Sequence, residues 1–244
     1  MGDKIPLGDV RRKFNATPDV WTKEDYWHFH LHQSYRRILK YTKSIFAGST
    51  VLNVGSSSEN YGIQCAAMIY LDVAEKSLPI GELAICGDVQ NIPLKNNCFD
   101  SAIAIGSVLN YCAPAEFFSE ISRVLRNDDY FLFDFEQSEA FEHYGNDIFG
   151  KKAHIFQTDF NGYDETIWVF KLEYIKNLLT YSEFNIIKIK HIHSISSLVW
   201  RLTRNNKMAT AACKVDFLSC SLPFFRRLSS SVFVIAQKKS SKGA

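Results

Sequence analysis

Four short apolar segments in the first half of the chain each end on a glycine or an aspartate. The segments and the residues that follow them are VLNV then Gly55, MIYL then Asp72, LAIC then Gly87-Asp88, and SAIAI then Gly106. Apolar runs of this length, bounded by turn residues, are typical of buried strands. In open α/β sheets, ligands bind outside the carboxyl ends of parallel strands. The order of the four segments therefore predicts one crevice in which glycine turns and carboxylates hold a polar ligand.

Later segments extend this pattern in a fixed order. GDVQNIPL at 87–94 is followed by CFD at 98–100, and ISRVLR at 121–126 is followed by YFLFDF at 130–135. With the glycine turn and the acid after the second strand, this order resembles the class I S-adenosylmethionine-dependent methyltransferases over about residues 48–136. The resemblance implies S-adenosylmethionine as cofactor. It also implies a Rossmann-like α/β fold, with a mostly parallel seven-stranded sheet whose last strand is antiparallel.

The resemblance assigns the cofactor to residues that follow these strands: Gly55, Ser56, Ser57, Asp72, Val73, Asp88, Val89, Gly106 and Ser107. Gly55 allows backbone N–H groups to approach the cofactor closely. The carboxylate of Asp72 suits two ribose hydroxyls, while Asp88 and the Val89 N–H suit an adenine ring. Each residue also has an ordinary role open to it, since Gly55 and Asp88 are turn formers and Asp72 is a helix N-cap type. Only their order favours the joint interpretation.

The glycine turn departs from the pattern of the resembled family. Asn53 stands where the family has an acid, and Ser57 and Glu59 stand where later glycines are expected. Serine tolerates a positive φ less well than glycine and its side chain occupies space. Few residues separate Gly55 from Asp72, so we expect a short helix there and a cofactor site that is altered but retained.

The resemblance implies no universal catalytic motif, and the catalytic candidates are the residues just beyond the fourth and fifth strands. Tyr111 and Glu136 are the candidates for proton removal, and Asn110 is a candidate for binding the acceptor. His143 is a more distant candidate. A solvated loop acid at Glu136 and a core-edge aromatic at Tyr111 are the structural alternatives.

The resemblance and the remaining segments predict a single methyltransferase domain over residues 1–244. Its parts surround the crevice. The predicted parts are an N-terminal arm (1–21) and cap helix (to 48), the cofactor-binding core 49–136, and a substrate-side half 137–244. Asn161-Gly162, between two alternating segments, predicts an added β-hairpin with a type I′ turn. The segment 231–237 predicts the last strand, which the resemblance implies is antiparallel.

An insertion at 194–227 separates the last two predicted strands. It carries six basic residues and one acid, Asp216, although the whole chain has a formal charge of only +2. Arg201 and Arg204 are three residues apart, so on a helix they would be neighbours able to grip a phosphate or carboxylate. The segment therefore predicts a lid that favours an anionic acceptor, and its aromatics also suit peripheral contact with a membrane surface. A solvated basic face packed on the core is the alternative.

His28, His30 and His32 are spaced two apart within the predicted cap helix. This spacing aligns residues on a strand but spreads them around a helix. We therefore predict no metal site from these three histidines.

Composition bounds the function classes. With 244 residues, 46% hydrophobic content and a net charge of +2, the chain has no general drive toward nucleic acid. The place after the fourth strand reads SVLNY, without the proline motif of the resembled amino-directed DNA methyltransferases, and none of the six cysteines follows a proline. The absence of a Cys-x-x-Cys pair predicts reduced thiols and a cytoplasmic protein.

Three hypotheses from different classes follow. The first is a methyltransferase for a small molecule, sugar, lipid headgroup or glycan precursor. The second is a catalytically inactive S-adenosylmethionine-binding protein with a regulatory or assembly role. The third is a nicotinamide-dependent Rossmann enzyme, although the Gly-x-Gly-x-x-Gly spacing is missing after Gly55. The acceptor and the oligomeric state are not encoded in these patterns.

Overall fold

The computed structural model describes residues 4–17, 20–21, 26–160 and 163–240. The α-helices are α1 (Leu7–Ala16), α2 (Tyr26–Tyr41), α3 (Lys43–Phe46), α4 (Pro114–Val124), α5 (Leu172–Tyr181), α6 (Ile195–Thr203), α7 (Asn206–Ser219) and α8 (Pro223–Arg227). The strands are β1 (Thr50–Val54), β2 (Ala67–Asp72), β3 (Leu83–Cys86), β4 (Phe99–Ala104), β5 (Leu125–Glu136), β6 (Ala153–Phe160), β7 (Tyr163–Phe170), β8 (Phe184–Ile192) and β9 (Ser231–Lys238).

Seven of these strands form one sheet in the order β3-β2-β1-β4-β5-β9-β8. The first five pair in parallel, and β9 runs antiparallel to both β5 and β8. This confirms the predicted mostly parallel sheet with an antiparallel last strand. β2 and β3 lie on one side of β1, and β4 lies on the other, so the strand order reverses between β1 and β4. Such a reversal leaves a crevice at the carboxyl ends of β1 and β4.

Helices cover both faces of the sheet because alternate strand residues are apolar on each side. On one face, Phe131 and Phe133 of β5 contact Phe118 of α4 within a fully buried aromatic cluster. On the other face, Tyr35 and Leu39 of α2 pack with Leu132 and Phe233. Most of the largest side chains exposed by less than 2% are phenylalanines, which accounts for the aromatic-rich composition.

The N-terminal arm contains α1, and β5 begins at Leu125. The short helix expected after Gly55 is corrected by the structure. In the connection between β1 and β2, whose residues are all described, no helix forms. Ser57, Ser58 and Tyr61 in that connection have positive φ angles. Left-handed residues interrupt a right-handed helix.

The added hairpin is present as β6 and β7, which pair along their full lengths as a separate two-stranded sheet. Its predicted turn residues, Asn161-Gly162, lie outside the described residues. A bridge between Gln137 and Phe170 ties the hairpin to the end of β5. Among the described residues, no helix is both long enough and apolar enough to cross a membrane.

Candidate active site

A cavity opens at the carboxyl ends of β1, β2, β3 and β4. It encloses about 1020 Å³ of space, counting its open mouth. All but one of the residues assigned to the cofactor line it directly: Gly55, Ser57, Asp72, Val73, Asp88, Val89, Gly106 and Ser107. Ser56 does not line it and is fully buried behind the turn.

The turn after β1 is held by backbone bonds and by one buried amide. Gly55 donates its N–H to the carbonyl of Leu71 at 2.8 Å, which ties the turn to β2. The amide of Asn53 donates to the carbonyl of Glu59 at 2.8 Å and so closes the loop from within. Ser57 and Ser58 adopt φ angles of 42° and 61°. The backbone thus keeps the left-handed geometry that suits glycine, although serine stands there.

Gly55 is required by its surroundings as well as by its φ of +60°. A Cβ atom at this position would lie 2.5 Å from Cγ2 of Val108 and 2.8 Å from Cγ1. We expect Gly55→Ala to reduce the free energy of unfolding by about 1–3 kcal/mol, through overpacking and the unfavourable φ. Urea denaturation of the variant would measure this loss.

A second substitution separates the two causes. Val108→Ala removes the contacting methyl groups and should restore part of the stability in the double variant, leaving the backbone cost. Equal unfolding free energies for Gly55→Ala and the unmodified protein would contradict the close approach of Val108 to Gly55.

Asp72 ends β2 with its carboxylate in the cavity wall. One carboxylate oxygen accepts the N–H of Ala74 at 2.9 Å and the other lies 3.3 Å from the N–H of Ser57. Burial raises the pKa of Asp72, and these backbone N–H groups oppose the shift. A carboxylate has about four acceptor sites, so two hydroxyl groups of a ligand can still be bound. The geometry fits the predicted ribose partner.

The turn after β3 presents Asp88 and Val89 to the same cavity. Asp88 accepts the N–H of Gln90 at 2.9 Å, which fixes its carboxylate at the edge of the turn. The Gln90 side chain in turn accepts the N–H of Ala113 at 2.8 Å. The turn predicted to hold a purine ring is therefore braced by the loop before α4.

The turn after β4 depends on a buried carboxylate that sequence reasoning did not single out. Asp134 of β5 accepts the N–H groups of Gly106 at 2.7 Å and Ser107 at 3.0 Å, and the hydroxyl of Tyr35 at 2.6 Å. Burial raises the pKa of Asp134 to about 6, against the opposing effect of these hydrogen bonds. The sequence signal for this buried carboxylate was the single acid within the apolar run YFLFDF.

Comparisons with known proteins agree with this geometry. Residues 53–133 match a family model described as a methyltransferase domain. These residues contain the turns after β1, β2, β3 and β4. Residues 53–133 therefore form a class I S-adenosylmethionine-dependent methyltransferase domain. The residues at the four turns fit S-adenosylmethionine, which supplies an electrophilic methyl group when bound.

Solved structures share the fold of this methyltransferase at low sequence identity. A Burkholderia thailandensis 1,6-didemethyltoxoflavin-N1-methyltransferase, solved with S-adenosylhomocysteine, aligns with a TM-score of 0.59 at 14% identity over 96% of this chain and 87% of its own. A chain from the complex of the Haloferax volcanii Trm112 activator with a putative methyltransferase aligns with a TM-score of 0.63, at 14% identity over 96% and 100%. The [4+2]-cyclase SpnF aligns with a TM-score of 0.56 at 15% identity over 85% and 82%. No curated protein matches the sequence.

The N-terminal segment forms the outer wall of the methyltransferase cavity. Phe14 of α1, Trp21, and His28 of α2 all line it. Trp21 stacks on His32 with ring centroids 4.9 Å apart, and a Cβ atom at Gly106 would come within 3.1 Å of its indole ring. This wall is distant in sequence from the strand ends, and its only sequence signal was the general expectation of a helix before the first strand.

A polar network lies on the side of the cavity nearest the hairpin. The hydroxyl of Tyr111 donates to Glu165 of β7 at 2.6 Å, and the ammonium group of Lys13 donates to that hydroxyl at 2.9 Å. Lys13 also forms an ion pair with Glu165. Burial, and then Glu165, raises the pKa of Tyr111 well above its usual value. Tyr111 is therefore a neutral hydrogen-bond donor in this arrangement, which does not favour the predicted role as a base.

Glu136 ends β5 beside this network and lines the cavity. Burial raises the pKa of Glu136 to about 8, with Glu142, Glu165 and Asp134 adding to the shift and Lys13 opposing it. A carboxyl group with a pKa near the working pH is suited to removing a proton from an acceptor. Lys13 and Glu165 were not predicted, because they come from α1 and from the hairpin.

Asn110 is buried and has a structural role in this arrangement. Its amide donates to the carbonyl of Trp168, and its side-chain oxygen accepts the N–H of Glu136 at 3.1 Å. These bonds join the end of β5 to β7. Because its polar atoms face backbone groups, Asn110 positions Glu136 and is not among the residues that line the cavity.

The arginines of the insertion do not form the expected pair. Arg201 donates to the carbonyl of Glu142 at 2.9 Å, whereas Arg204 lies beyond the end of α6 and over the ring of Trp200. Arg204 has a left-handed φ of 51° as the C-cap, which separates it from the face of Arg201. Within the described part of the chain, no residue of 194–227 lines the cavity. His143 is buried against Phe156 and also lies outside it.

Proposed function

We propose that this methyltransferase transfers a methyl group to a hydroxyl or ring nitrogen of a small, uncharged acceptor, with Glu136 as the general base. The observation that carries this proposal is the placement of Glu136, with its raised pKa, in the cavity wall beyond the turn of Gly106 and Ser107. Methyl transfer is a direct displacement, so alignment and removal of one proton are the main tasks for the protein.

The electrostatics of the acceptor side support an uncharged acceptor. Two carboxyl groups, Glu136 and Glu165, face one ammonium group, Lys13. A further anion would be repelled by the ionised form of Glu136 that catalysis requires. The basic insertion was the reason to expect an anionic acceptor, and its arginines lie away from this cavity. Leu7, Val10 and Phe14 give the outer wall an apolar surface.

A panel of matched acceptors tests the proposal. Pairs of phenols, N-heterocycles and sugars, each with and without a carboxylate or phosphate, would be incubated with the protein and S-adenosylmethionine. We expect methylated product by mass spectrometry for an uncharged member, and at least about tenfold lower kcat/KM for its anionic partner, equivalent to about 1.4 kcal/mol. Preference for the anionic member of a pair would contradict the proposal.

An S-adenosylmethionine-binding protein without catalysis is the second candidate. The left-handed φ angles of Ser57 and Ser58 favour it, because serine replaces the glycine that this geometry suits. Cofactor binding by calorimetry, together with no methylated product across the panel, would support this second function. For either function we propose a reducing, cytoplasmic location, which the six free cysteines support.

A further inference from the structure

A cluster of metal-binding side chains lies on the far side of α2 from the cavity. His30 of α2, His193 after β8 and Cys213 of α7 each place one ligand atom within 4.8 Å of the other two. His193 and Cys213 are buried at 0% and 4% exposure, and His30 is half-buried. The three residues come from three separate segments, so their meeting depends on the packing of α7 against α2.

Two ring nitrogens in this cluster lack a partner. Nδ1 of His30 and Nε2 of His193 are buried and have no hydrogen-bond partner among the described residues. Leaving a buried polar atom unpaired costs about 1–3 kcal/mol. Such atoms in a folded protein point to an ion or a water that binds them.

The surroundings hold the His193 ring in place. Trp27 stacks on it with ring centroids 4.0 Å apart and an interplanar angle of 18°. Its Nδ1 lies 3.0 Å from the hydroxyl of Ser196, 3.4 Å from the sulfur of Cys213 and 3.6 Å from a carboxylate oxygen of Asp216. Asp216 is itself fixed by the N–H of Ser196 at 3.1 Å. A carboxylate at this distance places negative charge beside the cluster.

We propose that His30, His193 and Cys213 bind one divalent zinc ion that joins the helical insertion to α2. Imidazole nitrogen with thiolate sulfur is a ligand set that zinc prefers. Tetrahedral zinc needs ligand atoms about 3.3–3.8 Å apart, so the cluster must contract by about 1 Å. On binding, the Cys213 thiol gives its proton to solvent and its sulfur forms the bond to zinc.

This site differs from the one that the histidine spacing excluded. His28 lines the cavity and His32 stacks on Trp21. Only His30 faces the insertion, where the other two ligands come from residues more than 160 positions away along the chain.

Metal content and cobalt spectroscopy test the site. The full chain would be purified without a polyhistidine tag, kept reduced, stripped with a chelator, and titrated with Zn²⁺ or Co²⁺ alone. We expect about one bound zinc ion per chain, and a cobalt complex whose near-ultraviolet band reports a thiolate ligand. Cys213→Ser and His193→Gln should each weaken zinc binding by about tenfold or more, the smallest loss typical of disturbing a metal site.

Cys65→Ser is the matched control, since Cys65 is a free cysteine outside the cluster. It should leave metal binding unchanged, and all variants should still bind S-adenosylmethionine, which shows that they are folded. The proposal is overturned if the unmodified protein takes up no stoichiometric zinc. A cobalt complex without a thiolate band, or zinc binding unaffected by Cys213→Ser, would also overturn it. The cobalt spectrum of the unmodified protein decides the matter even if a variant fails to fold.

Discussion

Replacing Glu136 with glutamine is expected to reduce kcat by about 10²–10⁴, the usual contribution of a positioned general base. Glutamine keeps the shape of the side chain and cannot accept a proton from the acceptor. Cofactor affinity should change little, because the turns predicted to bind the cofactor follow β1, β2, β3 and β4. Initial rates with the acceptor identified by the panel, and calorimetry with S-adenosylmethionine, would measure the two effects separately.

The pH dependence gives the same prediction a second readout. Burial raises the pKa of Glu136 to about 8, and only the ionised carboxylate can act as a base. The value of kcat/KM should therefore rise with pH up to about 8. The positive charge of a bound sulfonium should lower the pKa of Glu136 and so move this rising part of the pH profile to lower pH. The rise of kcat/KM with pH should be absent in Glu136→Gln.

Glu139→Gln is the matched control for Glu136. Glu139 is also buried and lies three residues further on, but it forms ion pairs with Arg227 and Lys171 outside the cavity. Its substitution should affect stability more than turnover. A kcat for Glu136→Gln within about threefold of the unmodified protein would remove Glu136 from the mechanism, since a base contributes at least about 10².

The second large effect is expected at Asp72. Its replacement by alanine should weaken S-adenosylmethionine binding by about 2–4 kcal/mol, from two hydrogen bonds to a charged group less partial compensation by water. This corresponds to roughly 30- to 1000-fold in Kd. Isothermal titration of the unmodified and variant proteins at the same pH would measure it.

Two variants control for local disturbance around Asp72. Asp72→Asn keeps the side-chain shape and should lose less affinity than alanine. Asp100→Ala removes a carboxylate that also accepts a backbone N–H, that of Thr50 at 2.8 Å, but at the start of β4 and outside the cavity. Asp100→Ala should leave cofactor affinity unchanged. An equal loss of affinity in Asp72→Ala and Asp100→Ala would mean that general destabilisation, and not ribose recognition, is being measured.

Outcomes at the two sites distinguish the candidate functions. Loss of binding in Asp72→Ala, together with turnover that depends on Glu136, supports the methyltransferase and its proposed base. Loss of binding without turnover in any assay supports a cofactor-binding protein. The SpnF cyclase shows that this fold also occurs in a protein described by a different reaction, so the acceptor must be found by assay and not by fold.

The sheet and the cofactor crevice were predictable from the chain because their signals are local. A short apolar strand followed by Gly55, Asp72, Asp88 or Gly106 encodes both a strand and the group at its carboxyl end. Parallel pairing then brings these ends together without further information. Glu136 was named as a candidate by the same reasoning, since it lies at the carboxyl end of the fifth parallel strand.

The acceptor side was decided by tertiary contacts. Lys13 precedes Tyr111 by 98 residues and Glu165 follows it by 54, yet both contact it. No local spacing in the sequence indicates such contacts. The direction of a side chain likewise depends on packing. Asn110 turns to backbone groups of β5 and β7, and Arg201 turns to the carbonyl of Glu142.

The same distinction explains the glycine turn and the histidines. The sequence shows that Ser57 replaces a glycine, but only the folded backbone shows that it keeps a φ of 42°. The sequence places three histidines on a helix, where their spacing excludes a shared ion. The meeting of His30 with His193 and Cys213 arises because α7 packs on α2, a long-range contact that hydrophobic burial stabilises and that local pattern does not encode.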